Sequence, residues 1–375
     1  MMQAMELKHN NTHIEQCLEG RQWWREKKVK DMMVQKRKLV EVPYMATLTH
    51  TINALVTNRV VAVPVAAPPG HWIGAGGSMI LESDKLTGAP RKHYIGMVNM
   101  LDVLTHIAEN GDCGDLDKRM SVPVSSIIGH CLEGLSLWTL NPNTSILDCM
   151  EVLSKGIHRA LVPVDGYTQR LSGAELTESA SSYQMLTQMD VLNFLRLHGS
   201  EMGRIVSRSV GELGAIAENV FGVTNRAKVI DTIKCMRTAS LNAVPIIEAS
   251  EAVEEDHTQL IYGKGRKLIG TFSATDLRGC PIASLQSCLS VGVLEFIEKA
   301  STAPNGVADD LSHSARELVS CYPDTSLAEV IDKAVVAHVH RVWVVDQQGL
   351  LVGLVSLTDM LRVIRSSLLS EFGTK

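Results

Sequence analysis

Apolar and polar positions along this chain fall into one arrangement that recurs four times. Leu48/Ile52/Leu55/Val56, Ile146/Cys149/Met150/Leu153, Val229/Ile233/Met236 and Leu327/Val330/Ile331/Ala334 each mark the single apolar stripe of an amphipathic helix. Thr47, Thr144, Thr224 and Thr325 precede the stripes as N-caps, since a hydroxyl there accepts from first-turn N–H groups that lack a helical partner. A continuous β-branched run follows each helix: Val60 to Val65, Ala160 to Val164, Ala243 to Ile247 and Val342 to Val345. Runs of this kind form strands covered on both faces. A further strand then feeds directly into a second helix, over Ile95 to Leu104, Gln184 to Leu192, Leu268 to Leu277 and Leu354 to Leu361.

The strand-to-helix junctions set the period. Asp102, Asp190, Asp276 and Asp359 occupy matching places, 88, 86 and 83 residues apart. That spacing is longer than a solenoid repeat and suits a βαββα unit. A unit this small cannot cover both faces of its own sheet, so consecutive units pair and the pairs assemble further. The reading is an α/β (α+β) fold of four tandem βαββα repeats, paired into two modules that form a disk. An N-terminal extension spans 1–24, and the repeats span 25–110, 120–199, 205–280 and 312–369. Pro64 to Ser78, Gly166 to Tyr183 and the acidic stretch Glu248 to His257 read as loops by composition.

The fourth repeat has Val339-His340-Arg341-Val342-Trp343-Val344-Val345-Asp346 followed by Leu354-Val355-Ser356-Leu357-Thr358-Asp359. The second has Gly156-Ile157-His158-Arg159-Ala160-Leu161-Val162-Pro163-Val164-Asp165, and the first Asn58-Arg59-Val60-Val61-Ala62-Val63-Pro64-Val65 before a long insertion. Over residues 25 to 369 this resembles tandem CBS domains, and within them the gamma regulatory subunit of AMP-activated (sucrose-non-fermenting-type) protein kinases, in its plant gamma-like branch. The resemblance implies a non-catalytic subunit that senses AMP, ADP or ATP in clefts between repeats. It also implies kinase catalytic and beta-type subunits as partners.

The candidate ligand residues come from both readings. In Thr187/Asp190, Ser273/Asp276 and Ser356/Thr358/Asp359 a carboxylate sits in the first turn of a helix, where it can accept both ribose hydroxyls in charge-assisted hydrogen bonds. The same spacing is also a capping box that needs no ligand. Asp102 follows Asn99 in place of a hydroxyl and is less well oriented for either task. Arg59, His158-Arg159 and His340-Arg341 stand just before the second strand, where the resemblance places phosphate-facing groups; guanidinium forks match phosphate oxygens. The alternative is a solvated arginine at a strand entrance. Repeat three offers only Leu241-Asn242 there, so the sites of Asp190 and Asp359 are expected to bind more tightly than those of Asp102 and Asp276. Familiar kinase gamma subunits lack the aspartate in one repeat, whereas all four are present here.

Composition narrows the picture further. With 45 % hydrophobic and 21 % charged residues the chain is globular, and a net charge of −5 argues against a nucleic-acid partner. Eight cysteines are scattered singly, with no CxxC pair, and read as reduced packing residues without a metal. No stretch is long and apolar enough to span a membrane, so a cytosolic or nuclear protein is expected. Gly70 to Gly77 lacks the Lys-Ser/Thr of a phosphate loop and reads as a loop. Arg25 to Lys38 reads as the solvated entry to repeat one, and Trp23-Trp24 as either a partner anchor or a packed pair. No nucleophile elbow or cooperating carboxylate pair appears, which speaks against an enzyme. Besides the nucleotide sensor, a scaffold that binds no nucleotide and a regulatory half acting on another target fit the same residues.

Overall fold

Each repeat builds a small mixed sheet in which the strand after the first helix is central. In repeat one, Ala62–Ala66 pairs parallel with Val42–Pro43 and antiparallel with Tyr94–Asn99. Repeat four repeats this with Arg341–Val345 between Ser320–Cys321 and Leu351–Ser356. Repeat three has Ala243–Ile247 between Phe221–Thr224 and Leu268–Ser273, with Ile261–Tyr262 added at the edge. In repeat two Arg159–Pro163 pairs with Tyr183–Thr187, and the parallel partner shrinks to the bridge Thr139↔Leu161. The structure, a computed structural model, describes residues 23–24, 26–67, 71–73, 79–81, 92–109, 116–135, 137–164, 182–252, 254–280, 284–302 and 318–373.

The first helices are Leu48–Thr57, Ile146–Leu153, Val229–Thr238 and Leu327–Val336. Thr47 caps the first, accepting from His50 N–H at 3.2 Å. In repeats two and four the cap lies one residue later than expected, at Ser145 (3.1 Å from Asp148 N) and Ser326 (3.3 Å from Glu329 N). Thr224 instead ends a strand, its hydroxyl 2.9 Å from His257 Nδ1, and Lys228 precedes the third helix without a side-chain cap. Leaving each helix, the chain turns through Arg59, Gly156, Ser240 or His338 at φ of 52°, 91°, 54° and 52°. This is the left-handed turn that commonly ends a helix, and it sets the phase of the strand beyond it. The central strand begins three residues later in all four repeats, at Ala62, Arg159, Ala243 and Arg341.

Two large cores fix how the repeats meet. Leu48, Ile52, Val63 and Leu104 of repeat one share a core with Val229, Ile233, Val244 and Phe272 of repeat three. Ile146, Met150, Leu186 and Leu192 of repeat two share the other with Val330, Ile331, Val342 and Met360 of repeat four. Smaller clusters join the sheets. Val220, Ile247 and Leu268 meet Trp343, Val345 and Leu351 between repeats three and four, while Leu161 and Tyr183 meet Leu39 and Tyr94 between repeats one and two. Repeats one and two, and three and four, therefore pair through their sheets, and the pairs join helix against helix. The order 1-2-4-3 closes into a ring around one axis. Each fully buried aliphatic side chain in these cores contributes roughly 1.5 to 3 kcal/mol.

Several expectations are revised. The segment after Trp23 does not enter repeat one but packs on repeat two: Trp24, Val29 and Met33 lie in the core shared by repeats two and four. Val29 N donates to Thr144 O at 2.9 Å, and Trp24 Nε1 to Glu201 O at 3.1 Å. Trp23 stacks on Phe194, which makes the tryptophans internal packing. Within the first loop, His71–Ile73 and Met79–Leu81 pair as an antiparallel ribbon; most of the second loop lies outside the described residues. After Ser273 the expected helix is only the 3-10 turn Ala274–Gly279. The sequence has Gly279 and Pro281 there, and proline cannot continue a helical hydrogen-bond ladder. The core is completed instead by Leu285–Ser290 and Val293–Thr302, which supply Leu285, Leu289, Val293 and Phe296. That turn and the following helix bring Cys280 and Cys288 together as a disulfide, against the expectation of reduced thiols throughout; Cys131, Cys149, Cys235 and Cys321 are free.

Candidate functional site

Strand register places the basic residues beside the Ser/Thr-x-x-Asp elements. The first residue of each central strand lies opposite the residue that caps the final helix: Ala62↔Asn99, Arg159↔Thr187, Ala243↔Ser273 and Arg341↔Ser356. The residue before it turns its carbonyl to the helix start, His158 O accepting from Gln188 N at 3.0 Å and His340 O from Leu357 N at 3.1 Å. Each of these two junctions thus presents a His-Arg pair at one end of its sheet.

Because the repeats close into a ring, those ends meet. Glu133, in the 3-10 turn Leu132–Leu135, has Oε1 3.1 Å from His158 Nδ1 and 3.4 Å from Arg159 Nη2. Arg159 Nη1 also reaches Met97 Sδ of repeat one at 3.7 Å, and Arg341 Nη1 donates to Ala243 O of repeat three at 2.7 Å. Asn242 of repeat three lies beside Glu133, and His340 feels the charges of Arg159, Arg341, His158 and Glu133. All four repeats therefore contribute to one polar centre. His340 keeps an exposed face, with the Arg159, Arg341 and His158 charges close enough to act on its ring.

The electrostatics reflect enclosure and crowding. Burial, then Arg159, Arg341 and His158, lower His340 to about 4, so it is neutral near pH 7. Burial lowers Arg341 to about 10, and it remains a cation. Burial by itself would raise Glu133, but Arg159, with His158 and Asn242, outweighs it and holds the carboxyl at about 2. The centre at neutral pH thus contains two guanidinium cations and one carboxylate.

The aspartates all cap helices. Asn99 N, Thr187 N, Ser273 N and Ser356 N donate to Asp102, Asp190, Asp276 and Asp359 at 2.8, 2.7, 2.9 and 3.1 Å. Asp190 is further bonded by Thr187 Oγ1 at 2.7 Å and paired with Lys36 at 2.6 Å; Asp359 by Ser356 Oγ at 2.5 Å and Arg362 at 3.1 Å. Asp102 is fully buried and also accepts from Cys131 N at 2.7 Å, while burial raises it to about 6. Its carboxylate holds the turn that carries Glu133. Thr358 Oγ1 accepts from Gln188 Nε2 at 2.8 Å across the interface of repeats two and four.

Arg59 does not hold the strand position of Arg159 and Arg341, which in repeat one belongs to Ala62. It occupies the left-handed turn position shared with Gly156, Ser240 and His338, and is exposed. The places matching His158-Arg159 are held in repeat one by Val61-Ala62, because the turn, rather than the nearest arginine, sets the register. Glu133 is a site residue that the sequence pattern does not single out. Its only local sign is Gly134 at its side. A Cβ there would lie 2.5 Å from Met97 O, so this turn is built to lie directly against the strand Tyr94–Asn99. Among the described residues no cluster of His, Cys, Asp and Glu is arranged to hold a metal ion, and no helix is long and apolar enough to cross a membrane.

A CBS-domain family model matches residues 308–366. The chain is 57 % identical over 344 residues to the SNF1-related protein kinase regulatory subunit gamma-like PV42a of Arabidopsis thaliana, covering 90 % of this chain and 95 % of that one. It is 58 % identical to PV42b of the same plant, covering 92 % and 96 %. At 22 % identity over 339 residues it is similar to the 5'-AMP-activated protein kinase subunit gamma of Saccharomyces cerevisiae, covering 89 % and 88 %. Among solved structures, a Methanocaldococcus jannaschii protein described as an archaeal homolog of g-AMPK shares the fold, with TM-score 0.59 and 16 % identity over 89 % of this chain and 99 % of that one. The chain belongs to the gamma-like branch of the SNF1-related protein kinase regulatory subunits, a family of CBS-repeat proteins.

Proposed function

We propose that this protein is a non-catalytic, adenine-nucleotide-responsive subunit of a kinase complex in the cytosol or nucleus, with its phosphate seat at the axis of the ring. The observation that carries this reading is the convergence of His158-Arg159 and His340-Arg341, from two repeats, on one polar centre. Guanidinium forks suit phosphate oxygens, and cations gathered inside a protein attract an anion more strongly than they would in water. Four repeats that close a ring also provide a means of transmission, because a ligand held between repeats favours one packing of the modules over another. Kinase catalytic and beta-type subunits are the partners that read this packing.

The rival reading is a scaffold that carries the same repeats without nucleotide. It is favoured by the four aspartates, each committed to capping its own helix. Calorimetric titration of AMP, ADP and ATP into the full-length protein separates the two. A saturable heat for at least one nucleotide is the result for a sensor, and no heat for any of the three is the result for a scaffold.

A further inference from the structure

The cation cluster at the axis already contains an anion of the protein's own. Glu133 contributes nothing to the core and caps no helix, yet its carboxylate lies within ion-pairing distance of His158 and Arg159, beside Asn242 and close enough to act on His340. Three features show that the turn carrying it is held in place. Asp102 accepts Cys131 N at 2.7 Å, Gly134 N donates to Cys131 O at 2.9 Å, and the approach of Gly134 to Met97 leaves no room for a Cβ. The carboxylate itself is less well satisfied, since both oxygens are shielded from solvent and neither accepts a well-aligned hydrogen bond. The groups that face it are Arg159, His158 and Asn242.

We infer that Glu133 is a built-in occupant of the phosphate seat and acts as its specificity-determining residue, so that an anionic ligand gains the Arg159 guanidinium only by displacing this carboxylate. The inference rests on the nucleotide reading for the identity of the ligand, but the anion seat can be tested independently. Two anions cannot share one cation pair at close range without strong repulsion, and like charges brought together at an interface are a recognised means of rejecting partners. Glu133 therefore raises the concentration at which a phosphate ligand engages the axis.

The test uses calorimetry on the full-length wild type, Glu133→Gln and Glu133→Asp, with pyrophosphate as the bare-anion probe, AMP as the nucleotide and adenosine as the uncharged control. E133Q is expected to bind pyrophosphate and AMP about 10- to 100-fold more tightly than wild type, with adenosine unchanged and E133D, which keeps the charge, within a few-fold of wild type. A gain for pyrophosphate with no AMP binding by either protein supports the role of Glu133 and overturns the nucleotide reading. Equal or weaker pyrophosphate binding by E133Q overturns the role of Glu133, and AMP binding by wild type then decides the nucleotide reading separately. No binding of any anion by any of the three overturns both. If E133Q folds poorly because Arg159 has lost its counter-charge, millimolar pyrophosphate restores its cooperative melt; a variant that stays unfolded in pyrophosphate contradicts the inference.

Discussion

The side-chain amide of Gln188 donates to Thr358 Oγ1 at 2.8 Å and to Leu153 O at 2.9 Å, joining the final helices of repeats two and four. Gln188 is almost wholly buried, so its replacement leaves a carbonyl and a hydroxyl without their donor inside a core. Gln188→Leu is expected to lower unfolding free energy by about 1 to 3 kcal/mol, read from denaturant midpoints. Thr358→Val, which removes only one acceptor, is expected to cost less than Gln188→Leu. Equal stabilities for all three proteins would show that the amide does not join the modules.

Gly134 separates shape from charge at the axis. Gly134→Ala puts a Cβ 2.5 Å from the backbone oxygen of Met97, which cannot move aside as a side-chain tip can. The turn must shift and take Glu133 with it. The expected cost is about 1 to 3 kcal/mol, as for other over-packed sites. The expected functional sign is the same as for E133Q, tighter anion binding, because the carboxylate leaves Arg159. An alanine variant with wild-type stability and wild-type affinity would contradict the packing of this turn.

The capping role of Asp359 predicts a loss of stability whether or not a ligand is bound. Asp359→Ala removes the acceptor of Ser356 N and Ser356 Oγ and is expected to lower stability by about 0.5 to 2 kcal/mol. If the carboxylate also holds a ribose, AMP affinity falls by about 10- to 100-fold in the same variant. Thermal melts with and without AMP on one preparation separate the two effects. Unchanged melting of the apo protein would contradict the capping geometry.

Stability against pH carries the signature of the enclosed charges. Asp102 is raised from 3.8 to about 6, so its contribution is fully present below about pH 4 and is lost as pH rises through 6. His340 is lowered from 6.5 to about 4, so its contribution is present above about pH 6.5 and is lost as pH falls towards 4. The two oppose each other between about pH 4 and 6.5. Glu133, lowered from 4.5 to about 2, stabilises above about pH 4.5, and this is lost on acidification below that. Its shift corresponds to about 3 kcal/mol as an order of magnitude. Wild-type stability is therefore expected to change little from pH 6.5 to 4.5 and to fall below pH 4.5. Asp102→Asn should fall more steeply on acidification through the upper window, His340→Gln should rise there, and E133Q should lose the acid limb. Parallel pH profiles for all four proteins would contradict this assignment.

Much of this architecture is legible in the sequence, and the exceptions have physical causes. Helix stripes and β-branched runs reveal the four repeats because burial on two faces leaves few polar positions to blur the period. The strand Ala243–Ile247 coincides with its apolar run to the residue. Arg59 looks phosphate-facing because it is the arginine nearest the strand; the left-handed turn shows it to be three residues too early. The final helix of repeat three looks continuous because apolar spacing outweighs the glycine and proline that interrupt it. Glu133 cannot be found from local pattern at all. It reaches the axis only through ring closure, a turn pinned by Asp102, and contact with residues from other repeats.

If the axial guanidinium groups seat the phosphate of an adenine nucleotide, binding depends on Arg159 and Arg341 together. The most direct measurement is a calorimetric AMP titration of wild type beside the double variant Arg159→Gln/Arg341→Gln, with circular dichroism to establish that both are folded. Saturable binding by wild type and a loss of about 100-fold or more in the variant are expected, since hydrogen bonds to a charged group are worth roughly 1.5 to 3 kcal/mol each. Wild-type protein that gives no heat with AMP, or a folded double variant that binds it as tightly as wild type, would contradict this seat for the phosphate.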